Sequence, residues 1–254
     1  MPPVRVGACI GRGRLGSVYE GHSDTVSLAV AVKCVEAEHT STLKHSWELL
    51  QKVRHPNLLR AYAYEEDATG ARLVMPLARG SLDTLVMDTR TLARAMRQVA
   101  EGLSHLHACG WVHRDIKPKN LLLIGRDVVI SDFGLTSEHT PGVPVAPCGT
   151  PVYMAPEAFL WQSGPAVDWF ALGVTLYELL MDHLPFDGES LQADIVAKQQ
   201  GRYPRLAGRG LDVWAPMIRG LLNPDPRQRW GAGEILDYLD ADCCDVPLIR
   251  RASA

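Results

Sequence analysis

Four short stretches hold side chains of the types that chemistry uses. IGRGRLGSV (10–18) sets Gly11, Gly13 and Gly16 between two strand-like runs, and the apolar run VAVK ends in Lys33, 17 residues after Gly16. HRDIKPKN (113–120) holds Asp115, Lys117 and Asn120, and SDFG (131–134) adds Asp132. Glycines let a backbone approach a ligand closely and aim N–H groups at phosphate. By itself such a loop reads equally as an ordinary glycine-rich hairpin. A dinucleotide fingerprint needs a helix directly after it, and here more strand follows. A lysine closing an apolar strand is, alone, a solvated tip. The ordered set is more specific: a carboxylate to orient a hydroxyl, a cation for a transferred charge and two oxygen ligands for magnesium. That is the inventory of phosphoryl transfer.

These residues need a scaffold, and the chain changes texture near residue 80. Before it lie strand-like runs at Val4 to Ile10, Ser17 to Gly21, Val26 to Val35, Leu58 to Tyr64 and Arg72 to Met75, with one helix between. After it, helical periods cover Leu92 to Ala108 and Val167 to Met181, with weaker ones near 189–200, 211–222 and 231–240. Apolar strands at Leu121 to Leu123 and Val128 to Ile130 bracket the chemical motifs. A small β-rich lobe before a larger helical lobe, with Gly80 as the hinge, is an α+β arrangement with a cleft between its parts. The 254 residues, 46% hydrophobic and 22% charged, suffice for one large domain or two lobes. A net charge of −3 offers no basic face for nucleic acid. The N-terminus lacks a signal-peptide pattern, and the most apolar run, Phe170 to Met181, contains Glu178 and is too short to span a bilayer. Six cysteines without CxxC pairing fit a reduced, intracellular chain. The Pro- and Gly-rich stretch 140–150 reads as an exposed functional loop.

Together with GTPVYMAPE (149–157), VDWFALG (167–173) and DPRQR (225–229), these motifs make nearly the whole chain resemble a eukaryotic-type protein kinase catalytic domain of the serine/threonine class. The resemblance implies a bilobal fold over 1–254, with an N-lobe to about residue 78 and a C-lobe from about 79, and ATP with Mg²⁺ in the cleft. Asp115 resembles the catalytic base and Lys117 the residue touching the γ-phosphate, while Asn120 and Asp132 resemble the magnesium ligands. Lys33 resembles the lysine on the α- and β-phosphates, beneath a loop formed by Ile10, Gly11, Gly13, Gly16 and Val18. Val18, Ala31 and Leu122 would sandwich adenine. Met75 falls at the gatekeeper position, and the Pro76 carbonyl and Ala78 N–H would bond the base, since proline keeps its acceptor. Glu157 is expected to pair with Arg229, Asp168 to hold the catalytic loop, and Thr150 to stand near Asp115 and Lys117. The implied partners are protein substrates, with no nucleic acid or membrane, acted on by a monomer in the cytoplasm or nucleus. Lys119 stands where relatives selecting upstream arginine often carry glutamate, so weak arginine preference is expected. Arg114 resembles the arginine that awaits a loop phosphate, yet the usual acceptor position is Ala146. Thr136, Ser137 and Thr140 are the remaining loop candidates, and Ser253 in RRASA resembles a basophilic site.

One departure concerns KHSWELLQKVRHPN (44–57). Ser46, Leu49, Leu50 and Val53 follow i, i+3, i+4, i+7, so the helix buries that stripe and turns Glu48 outward. The family's acid that pairs with the strand lysine stands nine residues before the histidine of the H-P-N turn, and counting back from His55 reaches Ser46. Serine supplies no charge-assisted bond to Lys33. The expectation is a rewound or rotated helix that delivers Glu48, or a substitute acid at Glu36 or Glu38. A pseudokinase that binds partners with weak or no transfer is the alternative reading.

Overall fold

A computed structural model describes residues 4–13, 15–23, 29–206, 208 and 210–242. The alternating, β-branched first part folds into strands β1 (Val4–Gly13), β2 (Gly16–Ser23), β3 (Ala29–Glu36), β4 (Ala63–Asp67) and β5 (Gly70–Pro76), with helix α1 (Thr40–Lys52) between β3 and β4. They form one antiparallel sheet in the order β1-β2-β3-β5-β4. In β3, Val30 and Val32 meet Val74 in a small cluster on one side of the sheet, whereas Ala31 and Val35 join the main core with the buried face of α1. That helix buries Ser46, Leu49 and Leu50, with Val53 buried just past its end, as the sequence stripe dictates, and Leu43 one turn earlier joins them.

Residues 58–62 depart from the strand expected there. Leu59 N–H donates to the Ile130 carbonyl at 2.9 Å and Ile130 N–H to the Asn57 carbonyl at 2.8 Å, so the backbone at 57–59 finds its partners in β9, and only from Tyr62, whose N–H donates to the Val74 carbonyl at 2.7 Å, does the chain join the sheet. Leu58 and Leu59 are buried, which explains why their apolar run carries no strand periodicity of its own.

Past Pro76 come β6 (Gly80–Ser81), α2 (Thr89–Ala108), β7 (Trp111–Val112), β8 (Leu121–Ile124), β9 (Asp127–Ile130), β10 (Ser137–Glu138), α3 (Pro165–Met181), α4 (Leu191–Gln199), α5 (Ala215–Leu221) and α6 (Ala232–Asp242). Asp88 caps α2 by accepting from Thr91 N–H at 2.7 Å. Leu92, Met96, Val99, Leu103 and Leu106 then repeat at helical spacing and are buried. Helix α3 opens with Pro165 and is buried nearly all round from Val167 to Tyr177, the signature of a central core helix. Hairpin β8–β9 pairs Leu121 with Ile130 and Leu122 with Val129. It presents the two loops with the chemical motifs at the edge of the cleft. The fold is the small sheet, larger helical body and intervening cleft that the sequence texture indicates. No helix among the described residues is long and apolar enough to cross a membrane. Cys9, Cys34, Cys109 and Cys148 are free thiols; Ser253, Cys243 and Cys244 lie outside the described residues.

The segment before α3 is braced by a buried ion pair. Both terminal nitrogens of Arg229 reach the Glu157 carboxylate, Nη1 also donates to the Ala166 carbonyl at 2.8 Å and Nε to the Asn223 carbonyl at 2.9 Å. Its carbon lies 5.0 Å from the centroid of the Phe170 ring. Arg229→Met strands a buried carboxylate, and a loss of about 3–5 kcal/mol in denaturant unfolding is expected.

Candidate active site

The site is assembled around a carboxylate that never touches it. Asp168, in the first turn of α3, is completely buried. Its Oδ2 accepts the His113 N–H at 2.8 Å and faces His107 Nε2 at 2.8 Å, and its Oδ1 accepts the Arg114 N–H at 2.7 Å. Burial pushes this carboxyl up, but the bond and charge of His107 and the Arg114 amide pull harder, and the net displacement is downward. Arg114 thereby holds φ at +70°, a left-handed backbone that a non-glycine residue adopts only when its surroundings impose it. His113 is fully buried beneath. Its Nδ1 accepts the Asp115 N–H at 3.3 Å, which leaves Nε2 as the donor to the Ser131 carbonyl at 3.0 Å. One imidazole thus ties the loop of Asp115 to the loop of Asp132.

Between those loops stands a compact polar network. Lys117 Nζ donates to Asp115 Oδ2 at 2.7 Å and to Thr150 Oγ1 at 2.8 Å, while the Thr150 hydroxyl donates to Asp115 Oδ1 at 2.8 Å. Asn120 Nδ2 donates to the Asp115 carbonyl at 2.7 Å and to its Oδ2 at 3.0 Å. With its amide committed in this way, Asn120 keeps its Oδ1 as an acceptor. Asp132 has φ +64°, a second left-handed residue across the site.

The adjoining cleft encloses about 580 Å³ and is lined by Ile10, Gly11, Val18, Ala31, Lys33, Met75, Pro76, Ala78, Asn120, Leu122 and Asp132 among others. Of the residues named from the sequence for catalysis, nucleotide and metal, Asp115 and Lys117 lie outside this wall, as do Gly13 and Gly16. The two glycines face each other at the β1–β2 turn. A Cβ on Gly16 would lie 2.1 Å from the Cys34 carbonyl oxygen, so glycine is required there by the close approach of β3. Around Gly11, by contrast, a Cβ would meet no atom within 4 Å; space for a ligand remains above that backbone.

The expected delivery of Glu48, or substitution by Glu36 or Glu38, does not occur. All three are exposed. Ser46 is buried on the inner face of α1 and spends its hydroxyl on the Thr42 carbonyl at 3.1 Å. Lys33 instead donates to Asp132 Oδ1 at 2.8 Å. Helix α1 needs no rotation because its apolar stripe already fixes its face, and the acid comes from the opposite loop. Burial pushes the Asp132 carboxyl up while the charge and hydrogen bond of Lys33 bring it down, with the net shift downward.

Sequence reasoning passed over His45, His107, His113 and Lys198. His45 Nε2 bonds the Thr136 carbonyl at 2.8 Å and joins α1 to the loop after Asp132. His107 lies on a helix whose last turn has two histidines, and it bonds Asp168 Oδ2. The available signal was Asp168, since an acid among the apolar residues that open this helix requires buried donors. Arg114 Nη1 donates to Ser137 Oγ at 3.2 Å, and Nη2 bonds the Ala146 carbonyl.

Residues 4–239 match the family model described as protein kinase domain. The chain is 32% identical to Aurora/IPL1-related protein kinase 2 of Caenorhabditis briggsae over 92% of its length and 82% of that relative's. It is 35% identical to calcium/calmodulin-dependent protein kinase type 1 of the same organism over 71% of its length and 55% of the relative's. Against calcium-dependent protein kinase 20 of Oryza sativa subsp. japonica the identity is 30%, over 92% and 46% respectively. The chain therefore spans from about half to four-fifths of these relatives.

Because the folded pKa of Asp168 lies below the ordinary 3.8, its ionised form contributes stability above that value and loses it as pH falls through the folded pKa. Asp168→Asn turns one set of N–H donors against another and is expected to cost about 3 kcal/mol at neutral pH. The difference from the parent chain should shrink in denaturant titrations below pH 4.

Proposed function

The chain belongs to the protein kinase family, and we propose that it transfers the terminal phosphoryl group of ATP to serine and threonine hydroxyls of protein substrates. The observation that carries this reading is the Thr150 hydroxyl, which donates to Asp115 Oδ1 at 2.8 Å while Lys117 Nζ bonds the same oxygen of Thr150 at 2.8 Å. An alcohol at that spot has its proton directed at a carboxylate and its oxygen beside a cation.

An acceptor hydroxyl replacing Thr150 there is oriented by Asp115 as general base, and Lys117 offsets charge on the transferred group. The cleft fits the nucleotide. Val18, Ala31 and Leu122 supply apolar walls and Met75 its depth, the Pro76 carbonyl and Ala78 N–H are the polar groups for the base, and Gly11 leaves room at the turn. The donor set at Asp132 and Asn120 Oδ1 is two hard oxygens, which would suit Mg²⁺. When bound, the nucleotide supplies the phosphoryl group and the metal neutralises its charge. Lys33 and Asp132 neutralise each other at 2.8 Å. If nucleotide and metal bound, Lys33 would be free to face phosphate and Asp132 would help hold the metal. The lysine is thereby kept in the cleft without an acid on α1. The pseudokinase reading rests on Ser46 alone.

Lys119 is exposed and lines the same cleft, so it opposes basic residues near the acceptor. The test is phosphate transfer from ATP and Mg²⁺ to a degenerate serine/threonine peptide library, read by position. Asp115→Ala is expected to lower transfer at least about 10²-fold, with arginine not enriched upstream. Equal transfer by the two proteins overturns the catalytic reading and favours the pseudokinase; strong upstream arginine selection overturns the role of Lys119.

Arg114 already binds Ser137 Oγ and the Ala146 carbonyl, so the loop is held without a phosphate. Phosphatase-treated protein is expected to keep its transfer rate to within about twofold. A large loss, restored by a phosphate mapped to Thr136, Ser137 or Thr140, would contradict this.

A further inference from the structure

Helix α4 carries a lysine in the wrong place for its chemistry. Lys198 is fully shielded from solvent, although lysine is among the residues least often buried. Its ammonium has three N–H donors, and they reach the carbonyls of Pro151 at 2.8 Å, Val152 at 3.0 Å and Met154 at 3.0 Å. The faces of Phe159 and Phe186 lie 5.7 Å and 5.6 Å from the nitrogen, within cation–π range. Burial lowers its pKa to about 8 and Asp194, one turn earlier, works in the opposite sense, so at neutral pH the side chain is mainly the cation that three carbonyls and two rings select. Asp194 is itself held by the Gly188 N–H at 2.7 Å.

Filling this space with an apolar side chain would cost less than burying an ammonium. What the charge adds is a grip on one piece of backbone. Residues 151–154 leave Thr150, which is bonded to both Asp115 and Lys117. They turn through the Tyr153 N–H to the Thr150 carbonyl at 3.0 Å and the Met154 N–H to the Pro151 carbonyl at 3.2 Å. The Tyr153 hydroxyl is tied to Glu178 on α3 at 2.6 Å. Asp115, Thr150, Tyr153 and Met154 line one pocket, so a peptide whose hydroxyl took the place of Thr150 at Asp115 would lie against this turn. Three carbonyls drawn to one point set its shape.

We propose that Lys198 is a positioning residue that moulds the 151–154 wall and thereby sets selectivity for the side chain next to the acceptor. The proposal rests on the reading of the chain as a protein kinase, but its test has an arm that does not. Lys198→Met in the full chain removes the donors and keeps the bulk. Hydrogen–deuterium exchange at the Tyr153 and Met154 amides is expected to become at least about tenfold faster, with α3 protected as before. On a peptide selected from the library by the parent chain, KM for peptide should rise about fivefold or more while KM for ATP stays within about twofold. Selectivity at the positions flanking the acceptor should flatten. If Lys198→Met does not fold, Lys198→Gln is read by the same exchange. Unchanged exchange at Tyr153 and Met154 overturns the proposal whatever the transfer activity. So does an equal decline for ATP and peptide that tracks a lower Tm, which marks a purely structural role. Absence of transfer by the parent chain refutes the kinase reading, while the exchange still decides whether Lys198 shapes the wall.

Discussion

A carboxylate without solvent must be answered by donors, and the functional end of this molecule is organised by that requirement. Asp168 projects from a central helix that is buried from Val167 to Tyr177. Leaving it unpaired would cost several kcal/mol, so its two oxygens hold the His113 and Arg114 amides and the His107 ring together. This is what makes a left-handed Arg114 affordable. The strain is local and the compensating bonds are buried, where they are least screened. Asp115 follows Arg114 directly, so its direction in the cleft depends on a group that no ligand touches.

From there rigidity passes through single residues. His113 accepts from the Asp115 amide and donates to the Ser131 carbonyl, and Ser131 returns its own N–H and hydroxyl to the Asn120 carbonyl. The loops carrying Asp115, Asn120 and Asp132 are therefore tied to one another. The sheet is tied to those loops through Lys33 on Asp132, and α1 through His45 on the Thr136 carbonyl. Neither link involves Glu48, and the helix bearing it packs as its apolar stripe demands.

The architecture was legible because its determinants are periodic. Alternating β-branched residues and the 3.6-residue repeat of α2 are properties of neighbouring side chains, and they reappear as the sheet and the long helix. The start of the 58–62 segment was not, because the backbone partner of Leu58 and Leu59 lies some seventy residues away in β9. The chemical motifs were legible for a different reason: phosphoryl transfer asks for residue types in a fixed order, and Asp115, Lys117, Asn120 and Asp132 meet at one place as that order implies. Gly13 and Gly16 show the limit of motif reading. Three glycines look alike in a string, while only the packing shows that Gly16 serves the approach of Cys34 and Gly11 the cleft.

Sequence by itself determined the composition of the site, the buried face of α1 and the outward turn of Glu48, since helical geometry converts spacing into direction without further information. Tertiary structure alone decided which acid answers Lys33, that His107 and His113 are internal supports and not surface groups, and that Lys198 is buried. Each of these is a pairing between distant segments, whose value depends on burial and on the presence of the partner. Local pattern encodes neither, because a charged residue looks the same in a string whether water or three carbonyls surround it.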